Sequence, residues 1–135
     1  MLFLGQGYLS VTITYSHSGG GGLVLSTPNY NSIYSANRGP SSATDGGYMD
    51  VVDKVGTGPE NIYLPSSGSA PPSGVYYVCY EPYMEQVFYS QTVTVTIKEG
   101  TTILSTFSKT LQLGYYTVSI CATFSSGYLG SFTYP

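Results

Sequence analysis

Apolar and polar residues alternate strictly along Leu9-Ser10-Val11-Thr12-Ile13-Thr14-Tyr15, with hydroxyls in the polar places. Successive side chains of a strand point to opposite faces, so Leu9, Val11, Ile13 and Tyr15 share one face. Thr92-Val93-Thr94-Val95-Thr96-Ile97 repeats the pattern with Val93, Val95 and Ile97 inward. Both stretches predict half-buried strands of an antiparallel sheet whose other face is covered in hydroxyls. Glu99-Gly100 offers a tight turn from the second stretch into residues 101–107, its hairpin partner.

Further strands are predicted at 75–80, after Pro71-Pro72-Ser73-Gly74, at 115–124 and at 128–134. Shorter ones fall at 23–26, 48–52 and 62–64. The four glycines 19–22 and the segments 37–47 and 65–74 read as loops by composition. No segment carries a helical stripe. The pattern therefore predicts an all-β chain, an antiparallel two-sheet β-sandwich (Ig- or jelly-roll-like) of eight or nine short strands in one domain over 1–135.

Composition changes what the outer faces are for. The chain has 15 Tyr, 5 Phe and no Trp, yet only 8% of its residues are charged, against about a quarter in an average soluble domain. Little charge repulsion keeps copies apart, and tyrosine is enriched where proteins meet other molecules. The bases Arg38, Lys54, Lys98 and Lys109 are scattered, so no nucleic-acid footprint exists, and nothing predicts membrane insertion. The apolar stretch 1–4 is too short for a signal core, so either a leader was removed or the protein reaches its place by another route, as a virion protein does.

Catalysis has little to work with. The single histidine, His17, lies beside the glycine run with no acid near it in sequence, and neither a Gly-x-Ser-x-Gly elbow nor a phosphate-binding Lys follows. The expectation is no enzyme activity. Asp50, Asp53 and Glu60, in a turn-rich stretch, are the candidate ligands for calcium, and no other cofactor is expected. Asp50 and Asp53 are an odd number of residues apart, so a regular strand would send them to opposite faces. Alternation leaves Cys79 and Cys121 outward on their strands, where they either pair within a sheet, pair between subunits, or remain as partly covered thiols.

Gly56-Thr57-Gly58-Pro59-Glu60-Asn61-Ile62 followed by Pro71-Pro72-Ser73-Gly74-Val75-Tyr76-Tyr77-Val78 resembles the YfaP-like modules. Residues 9–15 resemble that family's first strand, 20–28 occupy its second phrase, and Gly46-Gly47-Tyr48-Met49-Asp50-Val51-Val52-Asp53 resembles its third. The likeness spans residues 8 to 98. It implies a small β-sandwich, mostly extracytoplasmic and often attached to other surface domains. Where the family has two aspartates this chain has Gly20 and Gly22, and Val24 replaces its histidine. Any cation site carried by that phrase loses half its oxygen ligands.

The leading expectation is a non-enzymatic structural protein that self-assembles into an extracellular filament or sheath, or on a virion surface. Its location is then extracellular, cell-surface or virion. Its partners are copies of itself, with other surface or capsid proteins or glycans beside them. Residues 1–7 and 126–135 are expected to serve as inter-subunit strands, through Leu2, Phe3, Leu4, Tyr128, Leu129, Phe132 and Tyr134. The alternative is an adhesive module that binds a glycan or a surface through Tyr30, Tyr34 and Asn31. Tyr15, Tyr76, Tyr80 and Tyr116 are expected in the core. Tyr30, Tyr34, Tyr63, Tyr77, Tyr83, Tyr89, Tyr115, Tyr128 and Tyr134 are expected as contact residues.

Overall fold

A computed structural model of the chain describes residues 9–18, 21–52, 56–65, 70–82, 90–112, 114, 117, 118 and 120–135. Among these residues nine strands and one short 3-10 turn follow one another: β1 (Leu9–Tyr15), β2 (Gly21–Ser26), β3 (Ser32–Ile33), the turn (Ser42–Thr44), β4 (Tyr48–Met49), β5 (Glu60–Leu64), β6 (Gly74–Pro82), β7 (Ser90–Glu99), β8 (Thr102–Gln112) and β9 (Tyr128–Tyr134). They form two antiparallel sheets, one ordered β4-β5-β1-β7-β8 and the other β3-β2-β6-β9. The predicted all-β two-sheet sandwich is the fold.

The alternating stretches do what their period requires. Leu9, Val11 and Ile13 of β1 and Val93, Val95 and Ile97 of β7 are fully buried, and Tyr15 nearly so. They meet Leu23 and Leu25 of β2 and Tyr76, Val78 and Tyr80 of β6 across the sandwich, in one continuous core. Tyr15 and Tyr80 pack ring on ring at 5.3 Å, and Tyr76 stacks parallel on Phe132 at 4.9 Å. The β7–β8 hairpin turns through Gly100, whose φ of 59° a side chain would disfavour. Glu99 is still in β7 and pairs directly with Thr102, so the expected tight turn is present but its two loop residues are Gly100 and Thr101 rather than Glu99 and Gly100.

On the solvent side of the larger sheet the hydroxyls line up in cross-strand rows. Thr94 pairs with Ser108 and Thr92 with Thr110, each pair of oxygens 2.9 Å apart. Thr12 donates to Asn61 Oδ1 at 2.6 Å on the other side of β1.

Several expectations need correction. Gly21 and Gly22 are not loop but open β2; Gly19 and Gly20 lie outside the described residues. The reason is contact: a Cβ on Gly21 would sit 1.9 Å from the Tyr80 hydroxyl oxygen, so the strand can run here only without a side chain. The strand expected at 48–52 is only Tyr48–Met49. The described residues of 115–124 form no strand: they are irregular and end in turns at 122–127. Within it Ile120, expected inward, is 68% exposed, while Tyr115 and Tyr116 lie outside the described residues.

That irregular segment covers the outer face of the smaller sheet. Val118 and Cys121 pack with Val24 and Cys79 in a second apolar cluster, flanked by Tyr34, Tyr77 and Tyr128. Strand β2 is thereby buried on both faces, Leu23 and Leu25 against the main core and Val24 against the second cluster. The 128–134 strand, expected to leave for a neighbour, pairs with β6 of its own chain. Leu129 and Tyr134 are consequently core residues, and the Tyr134 hydroxyl donates to Glu99 Oε2 at 2.5 Å.

Candidate functional site

Cys79 and Cys121 form a disulfide within the chain, with their Cα atoms 5.8 Å apart. It joins β6 to the irregular covering segment, rather than two strands of one sheet or two subunits. A hydrogen bond from Val118 N to Glu81 Oε2, at 2.6 Å, fixes the start of that segment. Ser125 fixes its end: its hydroxyl donates to Ile120 O at 2.7 Å and accepts from Ala122 N at 2.9 Å. The Ala122–Ser125 turn closes with a backbone bond of 2.9 Å. Phe124, at the tip of this turn, is 84% exposed. A large apolar ring is thus held out into solvent on a backbone tied down at three points.

A second arrangement lies on the solvent face of the larger sheet, at its β4–β5 edge. Register pairs Tyr48 with Tyr63 and Asn61 with Thr12. The two rings are 5.4 Å apart and tilted by 35°. Beside them Asp50 accepts from Val51 N at 2.7 Å and from Asn61 Nδ2 at 3.2 Å, and Asn61 Oδ1 accepts from Thr12. Arg38 donates to the carbonyl oxygens of Asp50, at 2.7 Å, and of Met49. Burial, and then the charge of Asp50, push the Tyr63 hydroxyl above its ordinary pKa. Half-buried rings beside an ordered carboxylate and amide make a surface that can stack on a flat apolar face and hydrogen-bond its edge.

The calcium candidates do not meet. Glu60 shares the inward parity of Ile62 and Leu64, is fully buried, and its Oε1 accepts from Leu23 N at 2.9 Å. Asp50 lies on the opposite side of the sheet, beside Asn61. Asp53 is outside the described residues. Among the described residues no three His, Cys, Asp or Glu side chains are placed to hold a metal. Asp45 instead serves a turn, accepting from the Thr27 hydroxyl and, at 3.0 Å, from Asn29 Nδ2.

The glycan candidates are also dispersed. Tyr30 is 89% exposed in a turn with φ of 62°. Tyr34 packs against the disulfide cluster. Asn31 is half-buried and its backbone N–H donates to Thr27 Oγ1 at 3.2 Å. Of the expected core tyrosines, Tyr15, Tyr76 and Tyr80 are buried. Of the expected contact tyrosines, Tyr134 is buried, Tyr77 and Tyr128 flank the disulfide, and Tyr83, Tyr89 and Tyr115 lie outside the described residues. Of the assembly candidates, Leu2, Phe3 and Leu4 lie outside them too. Phe132 is half-buried against Tyr76.

Phe124 was missed by sequence reasoning, and so was the pairing of Tyr48 with Tyr63, the latter itself among the expected contact residues. The Phe124 turn looked like the end of a strand, and the tyrosine pair depends on a register between distant segments. Among the described residues no helix is long and apolar enough to cross a membrane. No protein-family model, curated protein or solved structure matches the chain.

Proposed function

We propose that this chain is a non-enzymatic structural β-sandwich that assembles with copies of itself, as an extracellular filament or sheath or on a virion surface. The observation that supports this reading most is the Phe124 turn. Burying a phenylalanine is worth about 1.5–3 kcal/mol relative to leaving it in water. Here that gain is withheld by a backbone fixed through Cys121 and Ser125. A rigid protruding aromatic is what a protein interface uses as an anchor, because little conformational entropy is lost when it docks. Ile120 beside it and Ile103 and Leu104 on β8 add exposed apolar area. The low charge and hydroxyl rows place no repulsive field around them. A disulfide fits an oxidising compartment or a virion exterior, and the resemblance to YfaP-like modules points the same way.

Light scattering after size exclusion, with negative-stain microscopy, tests the reading. The wild type is expected to form larger species as concentration rises. Phe124→Ser should move that transition to a concentration about tenfold higher, the equivalent of about 1.4 kcal/mol. A wild type that stays monomeric at high concentration removes the proposal.

The second reading is an adhesive module for a glycan, favoured by the Tyr48–Tyr63 pair beside Asp50 and Asn61. Aromatic rings with planar hydrogen-bonding side chains at their rim suit the alternating apolar and hydroxyl surfaces of a sugar ring. On this reading Tyr63→Ala abolishes binding seen on a glycan array, whereas Tyr30→Ala leaves it intact. An array without hits removes it.

A further inference from the structure

We infer that a second copy of this chain docks on the flank formed by β8 and β9, joining both sheets edge to edge about a single two-fold axis. The inference rests on the self-assembly reading and names a second contact surface for it, separate from the Phe124 turn.

Strand β8 ends the larger sheet and β9 ends the smaller one, and both edges lie on the same side of the sandwich. They are clasped there. Lys109 Nζ on β8 donates to the Tyr128 carbonyl on β9 at 2.9 Å. The Phe107 ring lies so close to Gly130 that a Cβ on the glycine would sit 2.7 Å from it. Residue 107 thus faces 130 and 109 faces 128, so the two strands run antiparallel across the flank. Beyond each of them the sheet order holds no further strand among the described residues.

The two edges share a centre. The middle of β8 (Thr102–Gln112) is Phe107, and the middle of β9 (Tyr128–Tyr134) is Ser131, one residue from the Gly130 that Phe107 touches. An axis perpendicular to both sheets at this point sets β8 antiparallel to its copy and β9 antiparallel to its copy in one motion. Such an isologous contact closes on itself. A bulge that places Leu104 as an extra residue, between the pairs Ile97–Ser105 and Lys98–Ile103, concentrates the new β8 ladder on Ser105–Lys109. The β9 ladder falls on residues 130–133, because the Tyr128 N–H is bonded to Ser125 O, the Tyr128 carbonyl to Lys109, and Leu129 is an extra residue between the pairs Val78–Gly130 and Cys79–Tyr128.

The chemistry of the edge permits it. Open edges are normally guarded by proline, by charges, by bulges or by a covering segment; here the guards are one extra residue in each strand, Leu104 and Leu129, and a single charge. Neither β8 nor β9 contains an acid, and neither contains proline. Their one charge, Lys109, has inward parity opposite Val93, and its ammonium is occupied by the Tyr128 carbonyl and lies 5.5 Å from the centre of the Tyr128 ring. The opposite flank is different. Strands β3 and β4 are two residues each, and where β3 stops the β2 backbone is served by the buried Glu60 carboxylate at Leu23 N.

Charges placed next to the axis test this. Ser131 on β9 and Thr106 on β8 are exposed on outer faces, so substitution there leaves the monomer's packing intact. A two-fold brings each residue against its own copy, so Ser131→Lys and Ser131→Asp should each weaken self-association in sedimentation analysis by about tenfold or more. Mixing the two variants should restore it, because opposite charges then meet; Thr106→Lys with Thr106→Asp repeats the test on β8. Self-association unchanged in the single variants overturns this flank while leaving the self-assembly reading standing. Loss without recovery on mixing overturns the two-fold arrangement. A wild type that never associates overturns both.

Discussion

Reducing the Cys79–Cys121 disulfide, or replacing both residues with alanine, is expected to lower folding stability by about 4 kcal/mol. The two half-cystines are 42 residues apart in sequence, and closing a loop of that length removes roughly that much entropy from the unfolded chain. The covering segment suffers most. Its described attachments to the smaller sheet include the disulfide, the Val118–Glu81 bond, the small cluster of Val118 and Cys121 on Val24 and Cys79, and, where its turns end, the 2.9 Å bond from Tyr80 N to Gly127 O. Without the disulfide, water reaches Val24, which is 1% exposed in the fold, and the Phe124 turn loses its anchor. The main core between the sheets draws on other residues and is expected to persist. Calorimetry with and without reductant should therefore show the melting temperature falling by roughly 10–20 °C, with the far-ultraviolet strand signal preserved below the new transition. A shift of only a few degrees would show that the covering segment holds on without its crosslink. Self-association through Phe124 should weaken in the same samples.

What the sequence disclosed follows from how locally each feature is determined. Strands β1 and β7 were legible because period-two alternation over six or seven residues has one physical solution, a half-buried strand. The same rule failed at 115–124. There Thr117-Val118-Ser119-Ile120-Cys121-Ala122 alternates just as well, but burial is decided by a crosslink and by Glu81. Val118 and Cys121, three positions apart, are buried while Ile120 between them is exposed, a spacing no strand produces. Glu60 had a readable signal that went unused: its parity with Ile62 and Leu64 places it inside, whereas the density of nearby acids suggested a loop ligand. Gln91 has the same parity with Val93. Gly21 could not be read. Four consecutive glycines look like a loop, and the reason for one of them is Tyr80, distant in sequence. The Tyr48–Tyr63 pair likewise exists only through the β4–β5 register.

Gln91→Leu is expected to cost about 2–4 kcal/mol, because one fully buried amide serves three parts of the fold. Its Oε1 accepts from the Ser16 hydroxyl at 2.8 Å and from His17 N at 2.6 Å, so the chain leaving β1 is tied to the start of β7. Its Nε2 donates to His17 O at 3.1 Å and to the Tyr80 hydroxyl at 3.2 Å, which brings in β6 of the other sheet. Leucine offers nothing to these partners: the Tyr80 hydroxyl, in the dry interior, keeps its desolvation cost, and the exposed Ser16 and His17 lose their tie to β7. Gly21→Ala should reach the same knot from the opposite side. Its Cβ would fall 1.9 Å from the Tyr80 oxygen and 2.3 Å from Cζ, and the fully buried ring has no room to withdraw. The strain of such overpacking is about 1–3 kcal/mol, and it displaces the hydroxyl from Gln91. The two substitutions therefore damage one shared bond, and the double variant should lose less than the sum of the singles, by about 0.5–1 kcal/mol. Urea unfolding of the four proteins measures this directly. Strict additivity would mean that Tyr80 and Gln91 act separately, and that the end of β1 is held by its own strand pairing alone. Tyr80→Phe supplies the control: it removes the hydroxyl that both substitutions act upon, so Gly21→Ala should cost less in that background than in the wild type.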